Sequence, residues 1–158
     1  MQKSTHFTHA ISRTPSRSIV YGLRAVDKGI PDYETLMRHH ASYLAVLRST
    51  GADVTVLPPL EAFPDAVFVE DTALCLQELA IIMRPGAPSR LGEVAAMRPT
   101  LETMYSTVVQ IEGPGFIEGG DILISEREVF VGLSDRTTQE GVDELVEIVA
   151  PFGYSVRV

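Results

Sequence analysis

A strand, helix and strand recur three times along this chain at a spacing of roughly 50 residues, and such a period confines the fold to architectures that repeat one supersecondary unit. In the first unit, 6–60, His9 to Thr14 reads as a short strand. Asp32 to Thr50 reads as an amphipathic helix, with Asp32 after Pro31 as its N-cap and Leu36, Tyr43, Leu44 and Leu47 as its inner face. Gly51 ends it, and Asp53 to Leu57 alternates into a β-branched strand closed by Pro58-Pro59.

The second unit, 61–114, opens with Ala66 to Glu70 as an apolar strand, continues through a hairpin from Thr72 to Met83, and turns at Pro85-Gly86. A helix is expected from near Ser89 to Tyr105, with Pro99 threatening its continuity, before Val108 to Glu112 returns as a strand. The third unit, 115–158, repeats the plan. Its strands are Ile117, Asp121 to Ser125 and Glu128 to Leu133; its helix runs from about Thr137 to Val149, and Tyr154 to Val158 is the return strand.

Units two and three also align in residues. Glu70-Asp71 precedes one hairpin and Glu118-Gly119-Gly120-Asp121 the next, while Arg90 and Arg136 stand just before the two helices. Units of this kind arranged around a centre would bring their loops to one mouth, which makes an α/β propeller of repeated ββαβ units the expected fold; a parallel α/β sheet is the competing one. A length of 158 residues at 45% hydrophobic supports a single domain with one sizeable core. The chain ends in or just after a strand with no capping element, which predicts a C-terminally incomplete domain, and an open apolar edge predicts self-association.

A net charge of −8, with 13 basic against 21 acidic residues, argues against a nucleic-acid partner, since phosphate binding needs clustered Lys and Arg. The single cysteine, Cys75, excludes a disulfide framework and points to a reducing compartment, the cytoplasm by default. No secretory h-region and no bilayer-length apolar run is present, so neither export nor a membrane partner is expected.

The chemistry-bearing residues are carboxylates. Phe63-Pro64-Asp65-Ala66-Val67-Phe68-Val69-Glu70-Asp71 places three of them within seven positions, and Glu118 stands at the equivalent place in the next unit, beside glycines that would let a backbone approach a ligand closely. Carboxylates meeting at one mouth repel one another unless a cation lies between them. Guanidinium meets that demand: it is planar, always charged, and takes bidentate hydrogen bonds. Arg90 and Arg136 could then fix a carboxylate at the other end, so an amino acid with a guanidine side chain fits the pattern. A metal held by Asp65, Glu70, Asp71 and Glu118 is disfavoured because no Asp-x-Asp-x-Asp-Gly loop is present. Gly113-Pro114-Gly115 lacks a Walker lysine and opens no helix, which excludes a nucleotide cofactor. Cys75 lies in Ala73-Leu74-Cys75-Leu76, where a buried packing thiol is expected; His6, His9, His39 and His40 are expected at strand ends and on a helix surface.

Ile11-Ser12-Arg13-Thr14-Pro15, the run from Phe63 to Leu74, Arg84-Pro85-Gly86 followed by Arg90, and the run from Phe116 to Leu123 together resemble the dimethylarginine dimethylaminohydrolase family, over essentially the whole chain. The runs FVEDTAL and EGGD also mark the wider superfamily that contains arginine deiminases and amidinotransferases. The resemblance implies a five-bladed α/β propeller, of which about three blades would be present, and a hydrolase acting on Nω-methylated arginine without metal or organic cofactor. It implies that Asp71 holds the guanidinium, with Glu70 and Glu118 in the same acidic set. Glu118 would also orient a catalytic His. Asp65 and the Leu23 carbonyl would bind the substrate α-amine, Arg90 and Arg136 its carboxylate, and Phe68 would line the pocket. The nucleophilic Cys and the His would lie beyond Val158, so the chain alone is expected to be inactive. The rivals are a deiminase or amidinotransferase and, from another class, a non-catalytic fragment that binds arginine-like ligands or serves a structural role.

Overall fold

In the computed structural model, which describes residues 7–158, short strands and three α-helices carry the repeat. His6 lies outside the described residues. These residues divide between two compact units, 7–69 and Glu70–Val158.

In the first unit, β1 (His9–Arg13) pairs in parallel with β2 (Asp53–Leu57), His9 opposite Asp53 and Arg13 opposite Leu57. A parallel pair needs a crossover, and α1 (Tyr33–Ser49) supplies it. Asp32 caps α1 as expected. Its Oδ1 accepts the Thr35 N–H at 2.7 Å, and hydrogen bonds from the Thr35 side chain and then its backbone lower the Asp32 pKa. Gly51, at φ +89°, makes the left-handed exit that a side chain would resist. The inner stripe centres on buried Leu44, with Tyr33, Leu36, Met37, His40 and Leu47 half-buried around it. Tyr43, expected on the inner face, is 55% exposed because it falls on the flank of that stripe. His40 shares a 3.1 Å hydrogen bond with Ser12 Oγ of β1, and burial lowers its pKa. Among the described residues this repeat has no hairpin: a 3-10 turn, Arg17–Tyr21, follows β1.

The Glu70–Val158 unit holds two full ββαβ repeats. β3 (Ala73–Cys75) is antiparallel to β4 (Ala80–Ile82), with Leu74 opposite Ile81, and β5 (Val108–Gln110) returns parallel to β4. β6 (Ile122–Ser125) is antiparallel to β7 (Glu128–Val131), and β8 (Ser155–Arg157) returns parallel to β7. The crossover helices are α2 (Arg98–Met104) and α3 (Gln139–Val149). One core serves both repeats, with Leu74, Ile81, Ile117, Val129, Leu145 and Val149 packed together. Full burial of such side chains contributes roughly 1.5–3 kcal/mol each.

Two expected elements differ. Ala66 to Glu70 is not a strand; the chain winds through turns into a 3-10 turn, Val69–Thr72. Its backbone bonds are local: the N–H of Ala66 donates to Phe63 O, that of Phe68 to Asp65 O and that of Val69 to Val67 O. An alternating pattern makes a strand only where a partner edge takes its backbone groups. The helix expected from Ser89 to Tyr105 is broken into two 3-10 turns, Pro88–Arg90 and Val94–Ala96, followed by α2. Pro99 stands in the first turn of α2, where its missing N–H costs nothing, and its ring bars a helix arriving from upstream.

Candidate active site

In the 7–69 unit, Asp65 is buried, and both its carboxylate oxygens accept the Leu23 N–H, at 3.0 and 3.2 Å. Gly22 permits this contact: a Cβ there would stand 2.7 Å from Asp65 Oδ1. Leu23 is 63% and Phe68 52% exposed, so each presents apolar surface from a loop. The Asp65 carboxylate is thus fixed in place by the Leu23 backbone, 42 residues away in sequence.

The remaining expected residues lie in the Glu70–Val158 unit. The 3-10 turn Val69–Thr72 leaves Glu70 exposed and Asp71 buried. Asp71 already holds a guanidinium, that of Arg90, whose Nη1 donates to Oδ2 at 2.5 Å. The Arg90 side chain also grips Glu93: Nε donates to both carboxylate oxygens at 3.1 and 3.2 Å, and Nη2 donates to Oε2 at 2.8 Å. Burial alone would lower the Arg90 pKa, but the bonds to Glu93 and Asp71 outweigh it and raise it above the ordinary arginine value. Arg90 is 3% exposed, so its guanidinium is set among carboxylates rather than held open at a helix start. Sequence reasoning missed Glu93, although the i,i+3 spacing from Arg90 is the signal for such a pair.

Glu118 is the most deeply buried of the expected carboxylates, at 1% exposure. Its Oε1 accepts the Gly86 N–H at 3.2 Å. Its Oε2 lies 3.1 Å from Nη1 of Arg136 but out of line with that N–H, which leaves a buried oxygen with no directed hydrogen bond. Burial pushes the Glu118 pKa up; nearby Arg136 opposes this and nearby Asp71 reinforces it. Arg136 itself is exposed, so the ion pair reaches from the interior to the surface. Gly86 packs against it, since a Cβ there would stand 2.7 Å from the Arg136 Cα.

The glycines of Glu118-Gly119-Gly120-Asp121 admit protein rather than a ligand. A Cβ on Gly119 would meet the Glu70 carbonyl oxygen at 1.9 Å, and one on Gly120 would meet Asp71 Oδ1 at 2.6 Å. The two acidic turns are therefore pressed together backbone to backbone. Asp121 then ties the second turn to the loop carrying Arg136. Its Oδ2 accepts from Thr137 Oγ1 at 2.6 Å and from Ser134 Oγ at 2.8 Å. Ser134 and Thr137 carry no sequence motif that would have picked them out.

Cys75, expected in the core, is exposed on β3. The protein around its sulfur nevertheless raises its pKa, partly offset by a hydrogen bond with Tyr105. His9 bonds Thr8 Oγ1 at its strand end and His39 is exposed on α1, as expected of both. Among the described residues, no three His, Cys, Asp or Glu side chains form a group able to hold a metal, and no helix is long and apolar enough to cross a membrane.

The family model for N,N dimethylarginine dimethylhydrolase, eukaryotic, matches residues 30–157. The chain is 43% identical over 153 residues to the N(G),N(G)-dimethylarginine dimethylaminohydrolase of Pseudomonas aeruginosa, covering 96% of this chain and 60% of that protein. A crystal structure of the Pseudomonas aeruginosa enzyme, a cysteine-to-serine mutant complexed with citrulline, superposes with a TM-score of 0.94 at 43% identity, covering 96% of this chain and 60% of that one. A dimethylarginine dimethylaminohydrolase in which histidine is replaced by glycine, as an adduct with S-methyl-L-thiocitrulline, gives the same TM-score and identity over 97% and 61%. The chain thus spans about 60% of the length of these relatives.

Proposed function

Since the chain belongs to the dimethylarginine dimethylaminohydrolase family, we propose that its parent protein hydrolyses Nω-methylated arginine to citrulline and a methylamine, and that this chain supplies most of the substrate-binding set. The relatives that carry citrulline and S-methyl-L-thiocitrulline support a guanidino amino acid as substrate. The reaction proposed is nucleophilic: a Cys thiolate attacks the guanidine carbon, the C–N bond to dimethylamine breaks, and the amine leaves with a proton. Water then attacks the S-linked thiouronium, supplies the ureido oxygen of citrulline and returns the thiolate, with a His as acid and base. Cys75 is unsuited to the first step, because its raised pKa keeps it a thiol near neutral pH.

Roles follow residue by residue. Asp71 takes the substrate guanidinium, with Glu70 adding negative charge; Asp65 and the Leu23 carbonyl take the α-amine; Arg136 takes the carboxylate, which Arg90 joins in holding only by giving up its bond to Asp71; Phe68 lines the pocket. Glu118 orients the His. The observation that carries this reading is the Glu118 carboxylate itself. A buried acceptor lacking a directed hydrogen bond costs about 1–3 kcal/mol, and an imidazolium or imidazole N–H aimed at Oε2 would recover it. The two ββαβ repeats within Glu70–Val158 are proposed as blades of the family's propeller.

The test is turnover by the full-length protein. Asp71→Asn should lower kcat/KM for dimethylarginine by at least 100-fold, and normal turnover would overturn the guanidinium assignment. A preference for arginine over dimethylarginine would instead place the protein among the deiminases.

A further inference from the structure

Glu118 and Arg136 are eighteen residues apart and belong to different loops, yet one carboxylate outside the proposed binding set reaches both. Asp121 Oδ2 accepts two hydroxyl protons, from Thr137 Oγ1 at 2.6 Å and Ser134 Oγ at 2.8 Å. Each hydroxyl in turn accepts a backbone N–H. Thr137 Oγ1 takes that of Glu118 at 3.2 Å, and Ser134 Oγ takes that of Arg136 at 3.0 Å. A hydroxyl that has given its proton to a carboxylate is a better acceptor, so the negative charge strengthens both outer bonds.

The frame around this relay is closed by main-chain bonds. The Asp121 N–H donates to Glu118 O at 3.1 Å, and the Gly132 N–H donates to Asp121 O at 2.9 Å. Ser134 and Thr137 exchange backbone bonds, at 3.1 and 3.3 Å, which makes the Arg136 loop a tight turn held at both ends. Thr137 is 1% exposed, so its hydroxyl has no water to fall back on, whereas Ser134 is exposed. Turning either side chain about χ1, away from Asp121, would cost both the bond its hydroxyl donates and the one it accepts.

We propose that Asp121 is a positioning residue that sets Arg136 and Glu118 in fixed relation through the Ser134 and Thr137 hydroxyls. It touches no substrate. It holds the guanidinium that meets the substrate carboxylate in register with the carboxylate that orients the catalytic His. The inference rests on the carboxylate-binding role proposed for Arg136.

Its signature is substrate-dependent. The full-length protein would be assayed with Nω-methylated arginine and with the decarboxylated analogue, Nω-methylagmatine. Asp121→Ala is expected to raise KM for the amino acid about tenfold and to change KM for the analogue less than about twofold. Ser134→Ala, an exposed site that leaves the core intact, is expected to show the same split in weaker form. Thr137→Val, on the Glu118 side of the relay, should lower kcat on both substrates by a similar factor, and Thr137→Ser should restore it, because only the serine keeps the hydroxyl. A general loss of fold would leave the ratio of the two KM values unchanged, and an unchanged ratio in the Asp121 and Ser134 variants would overturn the proposal. Arg136→Ala measured alongside separates the two layers. If it too fails to discriminate the substrates, the carboxylate assignment falls and the proposal with it. If it discriminates and the Asp121 and Ser134 variants do not, the positioning role alone is overturned.

Discussion

Replacing Gly119 by alanine adds one carbon at the point where the two acidic turns touch. The new Cβ would stand 1.9 Å from the Glu70 carbonyl oxygen, against a floor of 3.0 Å for real Cβ contacts, so the two backbones must separate by about 1 Å. Neither side can swing away, because the obstacle is main chain. Overpacking of this kind costs typically about 1–3 kcal/mol, and a backbone-to-backbone clash belongs at the upper end. At 2–4 °C per kcal/mol for a protein of 150–250 residues, about 3 kcal/mol lowers Tm by roughly 6–12 °C. Chemical denaturation should show a lower midpoint with an unchanged slope. The control is Gly132→Ala, whose Cβ would make an ordinary 3.9 Å contact with Asp121 O and should shift Tm little. A Gly119→Ala protein melting within about 2 °C of its parent would refute the claim that the Glu118–Asp121 turn is packed on the Glu70 backbone.

Other perturbations probe the buried charges. Glu93→Gln removes one partner of the Arg90 pair, whose side chains are 3% and 2% exposed; because Arg90 keeps Asp71, the cost should sit at the low end for a broken buried pair, about 3 kcal/mol by denaturation. Glu118 has a raised pKa, so ionisation costs the folded state stability. That cost is fully present above its folded pKa and vanishes as pH falls through the ordinary glutamate range. Glu118→Gln should therefore melt at or above the parent at pH 7, lose that advantage on acidification, and abolish turnover; a lower Tm at pH 7 would show that its ion pair with Arg136 outweighs burial. Arg127→Ala removes an exposed pair with Glu78 and the stacking of its guanidinium 4.6 Å from the Tyr154 ring centroid. It should cost less than about 1 kcal/mol, and less again at high salt.

Signals confined to a few neighbouring residues were legible in the sequence. The Asp32 cap, the Gly51 stop, the hairpin between Thr72 and Met83 and the strand from Asp53 to Leu57 all stand where their patterns place them, because capping and alternation are written in adjacent positions. The motif runs likewise carried the family, since they are unbroken stretches of chain.

Tertiary structure decided what depends on partners far along the chain. Ala66 to Glu70 has a strand's composition, but its amides are spent on turns. Arg90 reads as a free anchor until Asp71, nineteen residues away, takes its guanidinium. Cys75 reads as core, yet its side of β3 is exposed. The glycines of the EGGD run read as room for a ligand, but they are filled by Glu70 and Asp71. Asp121 acquires its partners only when Ser134 and Thr137 fold back onto it. A residue's local pattern limits its own backbone, whereas its burial and its hydrogen-bond partner are set by whichever distant segment the fold brings alongside.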